Sequence, residues 1–430
     1  MMLRALPIIS LLIVTPALAQ TAAGPVLPQE ADGSPVAMVR PPSVIDLPTV
    51  LRLAQTANPR IGIEEQAIAG TEADRITAGA LPNPRASYTG SYQPAELTNF
   101  STRRGQEASV ELPLLLGGKR GARVTAANRR IYAARAQAAV TRLDIATDAG
   151  TAFVTLLAAQ EAVVVRHRAV EELSRLRSVV AGRRSSGVAS DYDLVRVDVE
   201  VEAARADLAD AEVDVISAQA DLSNALGVSG WRPEASGRLD GLARLSAGPR
   251  RSIDALPSVV AALADERVAR ADVIAARRER FPEVSLNGGR FWTTSPFGPT
   301  YSLGVSLEIP LFDRRNGAVR KAESDARAAE FRTQIAKSRA ATEIERYAAQ
   351  VDTRSAALAT FNRQIGAKLP QLGQMAEDAY RLSGGSVNEL IDATRSRFEN
   401  EVTRIDLSRK LAEAMLRLEL AHGEGAGDHP

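Results

Sequence analysis

The 430-residue chain contains no cysteine, only three histidines and few aromatic residues, which make up 4% of the sequence. Without cysteine there is no disulfide, no thiolate metal ligand and no cysteine nucleophile. His167 stands alone, and His422 and His429 lie in a glycine-rich C-terminal stretch. The sequence therefore offers no histidine-built metal or catalytic centre, and we expect no cofactor.

The chain also lacks an excess of charge of either sign, with 53 basic and 52 acidic side chains and no basic block interleaved with aromatic residues. That distribution excludes the electrostatic footprint of a nucleic-acid-binding protein, so we expect no nucleic acid partner. Hydrophobic residues make up 45% of the sequence. A chain rich in alanine and in charged residues is typical of long helices packed through small side chains.

The N-terminus has the pattern of an export signal. Arg4 precedes an apolar stretch over residues 5–14, and Ala17-Leu18-Ala19 supplies the small residues that signal peptidase requires. We predict a signal peptide over residues 1–19 and a mature chain that starts at Gln20, without a thiol for a lipid anchor. The alternative, a membrane anchor, is disfavoured because ~15 apolar residues are too few to span a bilayer.

Two further expectations concern the mature chain. Residues 20–46 are rich in proline and small residues, and we interpret them as an extended strap rather than a folded unit. No later stretch reaches the ~20 apolar residues of a transmembrane helix, so a mature chain that enters a membrane has to do so as strands.

Prolines and a glycine indicate an internal duplication. The recurring pairs are Pro59 and Pro257, Pro82 and Pro282, Pro113 and Pro310, and Gly187 and Gly385, at offsets of 198, 200, 197 and 198 residues. The alternative, that these prolines only belong to ordinary turns, does not explain why they recur at a shared offset. We therefore predict two repeats, over residues 47–240 and 241–422, followed by a flexible tail over 423–430.

Each repeat is predicted to contain a helix, a pair of strands and two long helices joined by a short glycine-containing turn. The strand pairs span 84–113 and 283–310, and the long helices span 119–182, 189–227, 316–383 and 387–421. In the strands apolar and polar residues alternate, which indicates one apolar face, and about ten residues per strand suffice to cross a bilayer. Hairpins packed on a soluble core would explain the alternation equally well.

The long helices carry heptad patterns. In repeat one the two core positions are occupied by Leu194, Val201, Leu208, Val215 and Leu222, and by Val197, Ala204, Ala211, Ala218 and Ala225. In repeat two the heptad runs through Ile344, Val351, Leu358, Ile365, Leu372 and Ala379. The patterns predict coiled-coil packing, with alanine permitting close approach in a wide assembly, and Pro370 is expected to kink its helix.

Four strands are too few for a closed barrel, because even small barrels need about eight, and an open sheet edge is not tolerated in lipid. The strands of several protomers must then combine to form one barrel. Helices on the order of 100 Å long cannot fold back into a compact globule. An exported chain with membrane-spanning strands and helices of this length is typical of a duct.

The chain resembles the TolC family of outer-membrane channel proteins across nearly the whole predicted mature part. The matching motifs are Leu53-Ala54-Gln55-Thr56-Ala57-Asn58-Pro59, Leu81-Pro82-Asn83-Pro84, Leu116-Gly117-Gly118-Lys119-Arg120 and Leu390-Ile391-Asp392-Ala393-Thr394. The Leu-Pro-Asn-Pro and Gly-Gly-Lys-Arg elements are most similar to the CzcC-like subgroup, which serves heavy-metal efflux pumps of the RND type.

The resemblance implies a mainly α protein with a small β part, whose homotrimer forms a 12-stranded outer-membrane β-barrel and a periplasmic α-barrel in a Gram-negative bacterium. Its partners would be outer-membrane lipid, a periplasmic adaptor protein and an inner-membrane RND pump. The pump would supply the energy, so the chain would be a passive duct for heavy-metal cations and not an enzyme. The alternatives are a duct for drugs or secreted polypeptides and, in a different class, a periplasmic adaptor or structural coiled-coil protein.

The resemblance also places functional residues at the two turns between the long helices, which would form the periplasmic tip. Docking to the adaptor would involve Arg184, Gly187, Arg381 and Gly385. A helix that ends at a turn needs a residue with positive φ, so the alternative is that the two glycines only cap helices.

The gate implied by the resemblance consists of carboxylates near the second turn. Glu389 and Asp392 lie three residues apart on one helix face, and in three copies they would form two rings that favour cations. Asp191 and Tyr380 would form a hydrogen-bonded latch. The alternative for Glu389 and Asp191 is that an acidic residue in the first turn of a helix only complements its dipole. No metal site follows for the duct itself.

Overall fold

The computed structural model describes residues 41–93, 103–242, 251–293, 298–382 and 386–423. The predicted signal peptide, most of the predicted strap and all but the first residue of the predicted tail lie outside these ranges, as does Gly385.

Repeat one contains a short strand, two helices, a strand pair, a long helical hairpin and two short elements. They are β1 (Val44–Ile45), α1 (Leu47–Thr56), α2 (Pro59–Gly79), β2 (Arg85–Gln93), β3 (Arg103–Leu114), α3 (Lys119–Ser185), α4 (Asp191–Leu226), β4 (Glu234–Ala235) and α5 (Leu239–Leu242). The strand β1 pairs in parallel with β4, which attaches the start of the described chain to the end of the repeat.

Repeat two follows the same order. It consists of α6 (Pro257–Arg278), β5 (Glu283–Thr293), β6 (Pro299–Glu308), α7 (Asn316–Phe361), a π-helical turn (Asn362–Gly366), α8 (Leu369–Arg381) and α9 (Val387–Ala421). The fold is mainly α with a small β part, built on duplicated helical hairpins, and the predicted fold class is confirmed.

The first helical stretch is divided at an Asn-Pro pair. Asn58 caps α2 by accepting a hydrogen bond from the Arg60 backbone N–H at 2.9 Å, and Pro59 occupies the first turn, where no N–H is needed. The Asn58 amide nitrogen also donates to the carbonyl of Ala225 at 2.7 Å. The buried Asn58 therefore ends one helix, starts the next and ties both to the end of α4.

The main helical core lies where α1, α3, α4 and α9 meet. Phe153 and Ile145 of α3, Leu222 of α4 and Leu416 of α9 are fully or almost fully buried there. All ten core positions predicted from the heptads of α4 are buried or half-buried, which confirms the predicted packing face of that helix.

We expected no stretch after the signal peptide to be apolar enough for a transmembrane helix, and one part of α3 does not meet that expectation. A window of 18 residues in this helix is apolar enough to cross a bilayer by length and composition alone. The helix packs against α1, α2, α4, α6 and α9, and we assign the window to the helical core.

The four long strands form one antiparallel sheet in the order β2-β3-β5-β6, so β2 and β6 are its edges. One face is polar, and across it the hydroxyls of Ser87 and Ser109 lie 2.7 Å apart while the Asn287 amide donates to the Ser306 hydroxyl at 3.1 Å. The other face carries exposed apolar side chains, among them Leu303, which is 91% exposed. The hairpins therefore do not pack on a soluble core, and that alternative is wrong.

Repeat two departs from the prediction of one helix over 316–383. The helix ends at Phe361, a π-helical turn follows, and α8 starts at Leu369 with Pro370 in its first turn. Proline has no N–H and clashes with the preceding turn of a helix, so the break lies before Pro370 rather than at it.

The break also shifts the buried face, because a π turn adds a residue to the helical repeat. Ile365 and Leu372, both predicted core positions, are 38% and 45% exposed. Leu369, predicted for the second core position of this heptad, is buried as expected, and Tyr380, which the heptad does not include, is buried as well. The heptad prediction is correct up to Leu358 and wrong at Ile365 and Leu372.

The sheet meets the helices at a tight junction. Gly117 and Gly118 adopt left-handed φ values of 69° and 75°, and Lys119 begins α3 with only 2% of its surface exposed. The Lys119 ammonium lies 3.5 Å from a carboxylate oxygen of Glu283 and 3.8 Å from one of Glu279. The buried cation is thereby paired with acidic residues at the end of α6 and at the start of β5, where the first helix of repeat two leads into its strand pair.

Gly117 and Gly118 allow a matched test of this junction. A Cβ atom at Gly117 would lie 2.3 Å from Cγ of Phe281, whereas one at Gly118 meets nothing closer than 3.9 Å. Both substitutions by alanine incur the left-handed strain of roughly 1–2 kcal/mol, but only Gly117→Ala adds a steric clash. We expect Gly117→Ala to lower the midpoint of thermal unfolding, measured by circular dichroism in detergent, clearly more than Gly118→Ala. Equal midpoints would show that the close contact between Phe281 and Gly117 does not contribute to stability.

Candidate functional site

The turn between α3 and α4 is closed by backbone hydrogen bonds around Gly187. The N–H of Gly187 donates to the carbonyl of Arg184 and the N–H of Val188 to that of Arg183, both at 2.9 Å. Gly187 has a φ of 76°, and no atom lies within 4 Å of the position of a Cβ. Glycine is therefore required here by backbone conformation and not by space, which is the capping role that stands as the alternative to docking.

Both returning helices begin with the same capping box. In α4 the Asp193 N–H donates to the Ser190 hydroxyl at 3.1 Å, and the Ser190 N–H donates to the Asp193 carboxylate at 2.9 Å. In α9 the Glu389 N–H donates to the Ser386 hydroxyl at 3.2 Å, and the Ser386 N–H donates to the Glu389 carboxylate at 3.1 Å. The Glu389 carboxylate is thus engaged by its own helix cap.

The sequence contains a signal for these caps, although the prediction of the gate did not take it into account. Ser190 precedes Asp193 by three residues and Ser386 precedes Glu389 by three, the spacing typical of a capping box. The two boxes are 196 residues apart, close to the repeat offset. Glu389 therefore corresponds to Asp193 of repeat one.

Asp191 lies in a ladder of ion pairs between α3 and α4. Its carboxylate bonds to the Arg184 guanidinium, and one heptad along the hairpin Arg177 pairs with Asp198 in the same way. Further from the turn, Arg166 pairs with Asp207 at 2.8 Å. The ladder places the basic residues on the outgoing helix and the acidic residues on the returning one. Two residues predicted for different roles, Arg184 for docking and Asp191 for the latch, therefore bond to each other.

The protomer does not contain the predicted latch between Asp191 and Tyr380. Tyr380 is 7% exposed and packs in an apolar cluster with Leu176, Val180 and Ile391. Its hydroxyl has no hydrogen-bond partner among the described residues. Within the protomer Arg184 binds the Asp191 carboxylate, and the tyrosine ring is part of the core.

A different residue links the two hairpins at this point. The Arg183 guanidinium donates to the carbonyl oxygen of Tyr380 at 2.8 Å and lies 4.4 Å from the centroid of its ring. Arg183 was not among the predicted tip residues, since nothing in a single sequence shows which of two adjacent arginines faces the other repeat.

Two further arginines of α9 connect the repeats. Arg395 forms two hydrogen bonds with the carboxylate of Glu200 in α4, one of them 2.7 Å long from Nε, and Arg397 pairs with Glu172 of α3. Glu200 is only 5% exposed. Hydrogen bonding to Glu200 raises the pKa of Arg395 above its usual range. The tip is therefore tied across the repeats by charged contacts that are partly shielded from water.

Asp392 differs from the other acidic residues of the tip. It is exposed, and within the described part of the chain it makes no hydrogen bond or ion pair. It lies one turn beyond Glu389 on the same face of α9. Of the two predicted ring residues, Asp392 alone has a carboxylate that no hydrogen bond or ion pair engages in the described part of the protomer, although it attracts the Arg395 guanidinium electrostatically.

The remaining predicted docking residues lie on the tip surface. The Arg381 side chain is 72% exposed and pairs with Glu377 at 3.2 Å, while Gly385 lies outside the described residues. Large apolar side chains are exposed close to these positions, namely Val188, Tyr192 and Leu382. A cleft of about 600 Å³ separates α3 from α8 and α9 in this region. Within the described ranges no cluster of His, Asp or Glu side chains is arranged to hold a metal ion.

The family model described as outer membrane efflux protein matches residues 50–228 and 249–424. The chain belongs to the outer membrane efflux protein family. The two matched segments correspond closely to the two repeats. Membership places the protein in the outer membrane, with its long helices extending into the periplasm.

Metal-resistance proteins are among its relatives. The chain is 28% identical over 306 residues to the cobalt-zinc-cadmium resistance protein CzcC of Cupriavidus metallidurans, covering 70% of this chain and 69% of that protein. It is also 28% identical over 295 residues to the nickel-cobalt-cadmium resistance protein NccC of Alcaligenes xylosoxydans xylosoxydans, covering 67% of this chain and 65% of that protein.

Solved structures share the fold at low sequence identity. The transmembrane channel CusC superposes with a TM-score of 0.76 at 18% identity, covering 88% of this chain and 93% of that one. A membrane protein from Pseudomonas aeruginosa superposes with a TM-score of 0.75 at 22% identity, with the same coverage of both chains.

The pair of Arg395 and Glu200 provides a test of how the tip is held. Arg395→Ala leaves the buried Glu200 carboxylate with only Arg196 at 3.5 Å, which costs less than the ~3–5 kcal/mol of a fully buried pair, whereas Arg205→Ala removes an exposed pair with Glu202 worth at most about 1 kcal/mol. We expect a marked fall in the unfolding midpoint for Arg395→Ala and almost none for Arg205→Ala. Similar midpoints for both variants would contradict a stabilising role of the buried pair.

Proposed function

We propose that this outer-membrane efflux protein is the exit duct of a tripartite RND-type system that exports heavy-metal cations. The assignment of heavy-metal cations as the cargo is based on the similarity to CzcC and NccC, whose names specify resistance to cobalt, zinc, cadmium and nickel. In the proposed system the pump selects the ion and supplies the energy, and the duct is passive.

The proposed active form is a homotrimer. Each protomer contributes a four-stranded sheet with two open edges, β2 and β6. Three copies give twelve strands, enough for a closed barrel, with the exposed apolar face toward lipid and the polar face toward the lumen. The long hairpins then pool in the same way into a tunnel across the periplasm.

The tip is the proposed docking surface for a periplasmic adaptor. The exposed Val188, Tyr192 and Leu382 supply apolar contact area, and apolar anchors rimmed by polar groups are typical of protein interfaces. Arg381 and Arg184 flank them, with Gly187 and Gly385 at the two turns. The adaptor in turn connects the duct to the inner-membrane RND pump.

The gate we propose depends mainly on one carboxylate per protomer. Asp392 is exposed and forms no hydrogen bond or ion pair in the described part of the protomer, so three copies would form an open ring that attracts cations and repels anions. Glu389 lies one turn closer to the tip, but its carboxylate accepts a hydrogen bond from the Ser386 N–H. We therefore place the stronger selectivity at Asp392.

Ion selectivity tests this assignment. Asp392→Asn removes the free charge with little change in shape, and we expect it to reduce the preference for cations, measured as the reversal potential in a salt gradient across a planar bilayer. Glu389→Gln should have a smaller effect. Asp193→Asn, which alters the matching cap of repeat one, is the control and should leave the reversal potential unchanged. An unaltered reversal potential in Asp392→Asn would refute the ring.

Metal tolerance tests the cargo. We expect deletion of the gene to reduce the minimal inhibitory concentration of at least one of zinc, cobalt, cadmium, nickel, copper and silver, and a plasmid copy to restore it. Tolerance to lipophilic drugs should stay unchanged in the same strains. Unaltered tolerance to all six metals would count against metal export, and a fall in drug tolerance alone would identify a multidrug duct.

A further inference from the structure

The strand register places two arginines, Arg104 and Arg290, on the apolar face of the sheet, and the structure describes the side chain of Arg290. The register of the four strands aligns Tyr88, Ala108, Arg290 and Tyr301 in one row, all on the face that carries Leu303 and Val305. Arg290 is exposed, and within the described ranges it forms no ion pair or hydrogen bond. A charged side chain on a lipid-facing surface is costly unless it lies near the interface, so its position needs an explanation.

Aromatic rings hold the Arg290 guanidinium in place. Its central carbon lies 4.8 Å from the ring centroid of Trp292, two residues along the same strand, and 5.4 Å from that of Tyr301, its partner across β5 and β6. Cation–π contacts of this kind orient a guanidinium while leaving its N–H donors unused. The group is thereby positioned to donate hydrogen bonds away from the sheet.

The depth of Arg290 can be compared with the thickness of a membrane. Strand β5 runs from the helical junction at Glu283 toward the far end of the hairpin, so Arg290 lies near the end remote from the helices. On the neighbouring strand β6, exposed apolar side chains of the same face continue from Tyr301 through Leu303 and Val305 to Leu307, next to the strand end at Glu308. At about 3.3 Å per residue and a tilt of about 40°, these six residues cover about 15 Å along the membrane normal.

The apolar face of the strand therefore covers more than half of the ~25 Å hydrophobic belt of an outer-membrane barrel. Because the long helices extend into the periplasm, the strand end remote from them lies at the outer interface, and Arg290, Trp292 and Tyr301 all lie within three residues of that end, where aromatic residues concentrate. The outer interface contains the phosphorylated headgroups of the outer-leaflet glycolipid. Arginine presents a planar fork of donors that fits a phosphate group in a bidentate manner.

We propose that Arg290, held between Trp292 and Tyr301, binds a headgroup phosphate of an outer-leaflet glycolipid on the membrane-facing side of the barrel. The site anchors lipid at the rim of the apolar band and fixes the depth of the barrel in the membrane. The inference rests on the outer-membrane location of the family and on the polar face lining the lumen, and it is independent of the cargo.

Lipid binding to the purified assembly tests the site. Native mass spectrometry in detergent would count bound molecules of bis-phosphorylated lipid A and of the same lipid after removal of both phosphates. We expect the wild-type protein to prefer the phosphorylated lipid and Arg290→Gln to bind it about tenfold more weakly, since one bidentate charged contact is lost. Arg290→Lys keeps the charge but not the fork and should fall between the two. Arg85→Gln, on the polar face of the same sheet, is the matched control and should bind as the wild type does.

Several results would overturn the proposal. Wild-type protein that binds both forms of the lipid equally would exclude a phosphate site, and this comparison requires no variant to assemble. Unchanged binding by Arg290→Gln would exclude Arg290, and equal weakening by Arg85→Gln would exclude the membrane-facing side. Displacement of the lipid by millimolar inorganic phosphate would identify a general anion site instead of a lipid site. None of these outcomes bears on metal tolerance, so failure here and failure of the proposed cargo are distinguishable.

Discussion

Backbone hydrogen bonding in lipid is the constraint on which the other features depend. A membrane offers no water to satisfy the N–H and C=O groups of an open sheet edge, and each unsatisfied group costs several kcal/mol. The four-stranded sheet has two such edges, β2 and β6, and its apolar face is exposed. These edges can be satisfied only by strands of other copies, so the same chain has to supply a barrel by repetition. In the proposed trimer the same closure would arrange the helices, which join the strands at the Gly117-Gly118 junction, in a ring.

Outside the membrane, the long helices likewise depend on contacts with neighbouring elements. An α3 of 67 residues cannot bury itself in a globule, and it is stabilised by lateral packing against α1, α2, α4, α6 and α9 along its length. In α4, alanine at four of the five second core positions permits this close approach, and the ion-pair ladder connects the two helices of the first hairpin. In repeat two the proline of α8 interrupts the helix, and the hairpin is held to repeat one by Arg183, Arg395 and Arg397.

Features with a local period were predictable from the sequence, and features that depend on competition between partners were not. The alternation in β6 and the heptads of α4 indicated the strand faces and the core positions because each reflects spacing alone. The pairing of Asp191 with Arg184 instead of Tyr380 depended on which donor was nearest in the folded chain. The π turn before Pro370 displaced the heptad by a residue, which no seven-residue repeat anticipates. The role of Glu389 as a cap was visible in the Ser-x-x-Glu spacing, but the resemblance to a known gate position obscured it.

The number of copies in the assembly tests the closure argument most directly. A barrel built by repetition requires three chains to give twelve strands, whereas one chain would leave the edges of β2 and β6 unsatisfied in lipid. Native mass spectrometry of the protein extracted from outer membranes in mild detergent would measure this number. We predict a single species with the mass of three mature chains. A species with the mass of one chain, stable in detergent and active in a bilayer, would contradict it.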